Sequence, residues 1–207
     1  MAKYTGPDCR LCRREGCKLF LKGDKCYSEK CIFIKRQAAP GVHGAMKKKP
    51  TPYSIQLREK QKAKRIYGLT EKQFHKYYLM AEKMRGVTGD NMLILLERRL
   101  DNVIYRMGIG VSRAQARQLV NHRHITVNGK PLNIPSYLVK AGDVIEVKEN
   151  KQEMPFFTEL KNAKLSKSVK WLEFNTETLK GSVTALPTRE DIDMDIQEHM
   201  IVELYSK

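Results

Sequence analysis

Residues 91–130 constrain the fold more than any other stretch, because helical and strand signals follow one another there without a gap. Leu93, Leu96, Leu100, Val103, Ile104 and Met107 recur at three- and four-residue steps, the pattern of one strongly apolar helix over 91–107. Gly108 and Gly110 break it. Ser112-x-x-Gln115 then reads as a capping box opening a short helix to about residue 121. Ile125, Thr126 and Val127 read as a strand, and Asn128-Gly129 is the strongest short signal for a tight hairpin. After a turn at 141–143, residues 144–147 read as another strand. The prediction is a compact helix–helix–hairpin unit.

Upstream, residues 53–67 suit a helix with Tyr53 and Leu57 on one side and Gly68 as its stop. Thr70-x-x-Gln73 opens a second helix whose Phe74, Tyr77, Tyr78, Ala81 and Met84 read as core rather than as base-stacking platforms. Between 37 and 52, Pro40, Pro50, Pro52 and two glycines surround a lysine triplet, giving a cationic strap or a plain linker. In the tail, 171–174 and 182–186 read as strands, 189–195 is acidic, and 199–205 reads as a final strand.

All five cysteines fall within the first 31 residues. Cys9-x-x-Cys12 and Cys26-x4-Cys31 form two pairs of the kind that zinc gathers into a tetrahedron of thiolates, leaving Cys17 spare. The apolar residues there (Leu11, Leu19, Phe20, Leu21, Ile32, Phe33, Ile34) are too few to bury a core, so a structural zinc staple is expected. An iron–sulfur cluster would use the same thiolates and stays open as the alternative. A disulfide framework fits poorly with an odd count and no secretory signal.

Charge narrows the partner. Residues 1–150 hold 31 Lys and Arg against 13 Asp and Glu, whereas 151–207 hold 8 against 10. Such an excess calls for a polyanion; nucleic acid fits, and an anionic membrane surface competes. The longest apolar run, Met92 to Leu96, is far too short to cross a bilayer, and a soluble cytoplasmic protein is expected. Arg113 and Arg117 lie four apart on one helical face, with Arg123, His124, Asn128 and Lys130 around the hairpin. Arg10, Arg13 and Arg14 flank the cysteines; His43, Lys47, Lys48 and Lys49 lie on the strap. Arg58, Lys60, Lys62, Lys64 and Arg65 line the first long helix. Scattered basic patches of this kind suit a folded RNA approached from several directions, and DNA is disfavoured because no zipper or finger repeat is present. There is no GxxxxGK[ST] loop, HExxH helix or GxSxG elbow, so no enzyme is expected.

Several segments together resemble a known family. The runs LREKQK at 57–62, RIYG at 65–68, RLDNVIYR at 99–106, SRAQARQLV at 112–120, HITVNG at 124–129, PGVHG at 40–44 and LYSK at 204–207 resemble the small-subunit ribosomal protein S-four family, bacterial type. The likeness covers most of residues 1–150 and the last few, and is weak over 151–198. It implies an α+β fold: a zinc-stapled N-terminal extension, a helical domain, and a helix–helix–β-hairpin RNA-binding domain with a small antiparallel sheet. The implied domains are a zinc-binding segment at 1–45, a basic helical domain at 46–96 joined by a C-terminal strand at 199–207, and the RNA-binding domain with a β-rich extension at 97–198. The cysteine pattern resembles the family's zinc-bearing form, with ligands at Cys9, Cys12, Cys26 and Cys31. The resemblance further implies direct binding of 16S ribosomal RNA, nucleation of the subunit body, and a contribution to translational accuracy. Its implied partners are neighbouring ribosomal proteins and messenger RNA where it enters the subunit. The alternative is an RNA-binding regulator using the same module away from the ribosome.

Overall fold

The computed structural model describes residues 3–44, 49–162 and 169–206. The chain divides into two compact units, one formed by Met1–Leu93 with Met194–Lys207 and the other by Ile94–Asp193. No helix among the described residues is long and apolar enough to cross a membrane.

The first unit is helical. Three short helices, α1 (Asp8–Glu15), α2 (Asp24–Tyr27) and α3 (Ile32–Lys35), precede α4 (Pro52–Ile66) and α5 (Glu71–Glu82). The start of α4 follows from local chemistry: Pro52 occupies the first turn, where its missing N–H costs nothing, and the Thr51 hydroxyl accepts from the Ser54 amide at 3.2 Å. Gly68, at φ +63°, turns the chain out of the helix. Thr70 caps α5 by position only, without the expected side-chain bond. Ala63, Ile66, Phe74, Tyr77, Tyr78 and Ala81 are buried, so the aromatics do serve the core.

The C-terminal residues correct one expectation. Where a strand was expected at 199–207, the chain forms helix α10 (Glu198–Tyr205), packed on α4. Met200, Val202 and Leu204 alternate like a strand, but a strand needs a partner edge, and the described strands pair only among themselves. As a helix, the segment buries Ile201, sets the Tyr205 ring 4.8 Å from that of Tyr78, and joins Glu203 to Gln56 at 2.7 Å.

The metal expectation is also corrected. Among the described residues no group of three or more His, Cys, Asp or Glu stands where it could hold a metal ion, so neither the zinc staple nor the iron–sulfur alternative is retained. The five cysteines are free thiols, and three of them, Cys12, Cys26 and Cys31, serve as small buried side chains. Cys12, Cys26 and Cys31 are buried together with Leu19, and Cys26 Sγ accepts a hydrogen bond from the Lys22 amide at 3.3 Å. Burial, with a smaller contribution from the neighbouring sulfurs of Cys26, Cys9 and Cys31, pushes the Cys12 thiol up and keeps it protonated. Cys17 lies apart, beside Lys62 and Glu15.

The second unit is α+β. The single helix expected over 91–107 is two: α6 (Thr88–Glu97), which runs across the boundary between the units, and α7 (Leu100–Arg106). The break is at Arg99, whose backbone is extended and bridges to Leu138. The first amides of α7 are satisfied by that same segment: Leu100 N donates to Tyr137 O at 2.9 Å and Asp101 N to Pro135 O at 3.2 Å. Helix α8 (Arg113–Asn121) begins as expected, with Ser112 Oγ accepting from Gln115 N. Strands β1 (Ile125–Val127), β2 (Lys130–Pro131), β3 (Val144–Val147), β4 (Leu172–Asn175) and β5 (Lys180–Val183) form one antiparallel sheet in the order β2-β1-β3-β5-β4, with helix α9 (Pro155–Asn162) between β3 and β4. The Asn128-Gly129 turn closes the β1–β2 hairpin with both residues left-handed, φ +51° and +76°. Leu100, Val103, Ile104, Ala116, Val120, Ile125, Ile145, Phe157 and Trp171 share one core between helices and sheet.

Candidate nucleic-acid interface

In the second unit, α7 and α8 are fastened by a buried network of charges. Asp101 accepts from Arg99 Nε and Nη2 at 3.1 and 2.8 Å, from the Asn102 amide at 3.0 Å, and from Arg117 Nη1 at 3.4 Å. Beside it, Glu97 receives both Arg106 Nε (2.9 Å) and Nη2 (3.0 Å), together with Asn102 Nδ2 at 2.7 Å. Arg113 donates to Asn102 Oδ1 at 2.7 Å and lies over the Tyr105 ring. Burial raises the Asp193 carboxyl, but the hydrogen bond and charge of Arg106 outweigh it and hold the group below its ordinary value. Arg117 is only 5% exposed. Arg113 and Arg117, read from sequence as an open cationic face, thus stand against an acidic interior.

The hairpin places its residues differently. Arg123 is exposed, held outward by a left-handed backbone at φ +58°. Lys130 is exposed on β2. Asn128 spends its side chain on the turn, donating to Asp143 Oδ1 and accepting from Val144 N, each at 2.9 Å. His124 is half-buried; burial first, then the charges of Lys151 and His122, lower its imidazole below the usual range, so it presents shape rather than charge at neutral pH.

In the first unit, four cations of α4 face carboxylates supplied from elsewhere in the chain. Arg58 and Arg65 converge on the buried Glu15 of α1. Lys60, 8% exposed, and Lys64 both reach Glu71, at 2.7 and 2.9 Å, and Lys60 also lies over the Tyr205 ring. Burial raises Glu71, but hydrogen bonds from Lys60, Lys64 and Tyr205 prevail and bring it down to about 2. Lys62 reaches Glu59 at 3.4 Å. Arg13 donates to Ala38 O at 2.8 Å, pinning α1 to the strap, whereas Arg10, Arg14, His43 and Lys49 are exposed. Lys47 and Lys48 lie outside the described residues.

Some exposed cations escaped the sequence reading. Lys72 and Lys76 stand four apart on the open face of α5, with Lys83 just past its end. Lys22, Lys25, Lys30, Lys35 and Arg36 are exposed around α2 and α3. The signal for α5 was available as four-residue spacing; the lysines near the cysteines were hidden by the metal reading. By unit, the first carries 23 Lys and Arg against 11 Asp and Glu, and the second 16 against 12.

The model of the ribosomal protein S4/S9 N-terminal domain matches residues 3–97, and that of the S4 domain matches 98–145. Along its whole length the chain is 64% identical to the whole of the small ribosomal subunit protein uS4 of Caldicellulosiruptor saccharolyticus. The chain belongs to the uS4 family. Equally full-length likeness, at 60% and 58% identity, extends to the uS4 proteins of Thermoanaerobacter sp. and Clostridioides difficile. Within the uS4 match, the S4-domain portion covers α7, α8, the hairpin and the beginning of β3, the part fastened by the buried charge network.

Proposed function

We propose that this chain is a structural constituent of the small ribosomal subunit that binds 16S ribosomal RNA directly and helps nucleate the subunit body. The observation that carries the reading is full-length identity of 64% to a small ribosomal subunit protein. The distribution of charge supports it. Paired cations stiffen each unit, while Arg10, Arg14, His43, Lys49, Arg123 and Lys130 are exposed toward solvent, where phosphates can reach them. The role is binding and shaping: neutralising phosphates lets RNA helices that repel one another rest in one arrangement. By the same reading the protein works in the cytoplasm on the ribosome, touches neighbouring ribosomal proteins and messenger RNA where it enters the subunit, and contributes to translational accuracy.

Sucrose-gradient sedimentation of tagged protein from cells tests this. Stable migration with small subunits is the expected result; a soluble pool that never enters them would reject it. In binding assays, neutralisation of about seven phosphates gives a slope of log affinity on log salt of roughly −5 to −6.

A further inference from the structure

Between α8 and the first turn of α9 the second unit holds a cavity of about 240 Å³, apart from the buried charge network. Its walls are largely rings and amides: Gln118 and Leu119 from α8, His122 at that helix's end, His124 leading into β1, and Phe156 and Phe157 of α9. The rings rest on a firm base. Phe157 is buried and takes both Phe156 and His124 edge-on, with centroids 5.2 and 6.2 Å away and planes at 71° and 61°. Arg123, with its left-handed backbone, lies between the two histidines in the chain. Their imidazoles end 6.1 Å apart, with planes 27° from parallel. Gln118 and His122 are exposed; His124 and Phe156 are half-buried.

The lining carries no lysine, arginine or carboxylate among the described residues. Nδ1 of His124 is buried without a hydrogen-bond partner among the described residues, so the imidazolium, which needs acceptors at both nitrogens, is disfavoured. A phosphate therefore finds no counter-charge inside. The cations stand at the edge: exposed Arg123 joins the two lining histidines in the chain, and Lys151 lies close enough to His124 for its charge to act there. Glu149 and Glu153, two residues to either side of Lys151 in the chain, are the acidic neighbours. An uncharged aromatic hollow beside cations matches one nucleotide, because the ring enters and its phosphates stay outside. The volume suits one flat ring system, below the roughly 300–1,000 Å³ of sites for larger small molecules. We propose that this cavity receives a single unpaired base of ribosomal RNA, against the His122 and Phe156 rings and within reach of the Gln118 amide. The inference rests on the RNA-binding reading above.

The test uses the intact chain and a transcript of the 5′ domain of 16S ribosomal RNA, titrated across a salt series at pH 8, where an ordinary imidazole is uncharged. His122→Ala and Phe156→Ala each remove one ring from the wall. Each variant is expected to lose affinity by about 5- to 150-fold at every salt concentration, with an unchanged salt slope, because stacking on an uncharged ring releases no counterions. Irradiation of the wild-type complex at a wavelength absorbed by the bases is expected to leave a nucleotide adduct on His122, His124 or Phe156 by mass spectrometry. That readout does not depend on either variant folding. Unchanged affinity in both variants, a loss that scales with salt, or adducts confined to residues outside the cavity would overturn the base site. Normal RNA binding by both variants with failed entry into subunits would overturn it in favour of a protein side chain as the occupant. A wild-type chain that does not prefer this transcript would instead reject the RNA-binding reading itself.

Discussion

Replacing Asp101 by Asn should cost the second unit a large part of its stability. The carboxylate is buried, and it holds two guanidinium groups, those of Arg99 and Arg117, at distances from 2.8 to 3.4 Å. An amide of the same shape keeps part of the hydrogen bonding but removes the negative charge that these two buried guanidinium groups share. Removing one partner of a buried pair costs about 3–5 kcal/mol, against a total of about 5–15 kcal/mol for a typical domain. The expected fall in melting temperature is on the order of 15–30 °C for a unit of this size. The assay is favourable because the chain's single tryptophan, Trp171, lies in that unit's core at 2% exposure, so urea and thermal melts followed by its fluorescence report this unit. A loss below about 1 kcal/mol would refute the view that the network fastens α7 to α8.

Three further outcomes follow from the same geometry. Glu71, held at about 2 in the fold and near 4.5 when unfolded, binds fewer protons in the native state between those values. Its stabilisation is therefore complete above the unfolded value and lost as pH falls toward 2; Glu71→Gln should flatten that acid loss in melts followed by tyrosine circular dichroism. Gly129→Ala meets open space but a left-handed backbone and should cost about 1–2 kcal/mol. Gly181→Ala places a Cβ 2.8 Å from Glu173 O and should cost more, since the β4–β5 pairing must shift; urea midpoints compare the two. Arg123→Ala and Lys130→Ala should each reduce the magnitude of the salt slope of RNA binding by about 1, while Lys60→Met should lower the melting temperature instead.

Features written in neighbouring residues were legible in the sequence. The Asn128-Gly129 turn, the Ser112 cap and the stop at Gly68 depend only on local backbone chemistry, and each stands where it was expected. Features decided by distant partners were not. The break at Arg99 depends on a bridge to Leu138, and apolar spacing alone reads straight through it. The charges on α4 looked open because their acceptors, Glu15 and Glu71, come from other helices. The alternation in α10 concealed a helix whose buried face is made by α4 and Tyr78. The cysteine spacing suggested a metal, whereas the fold uses sulfur as packing.

The most direct measurement is competition between two transcripts of equal length, one the folded 5′ domain of 16S ribosomal RNA and one unrelated, for the purified chain at physiological salt. Retention on the ribosomal fragment with the unrelated transcript displaced is the predicted result. Equal partition between them would contradict the account, since charge without shape binds any polyphosphate alike.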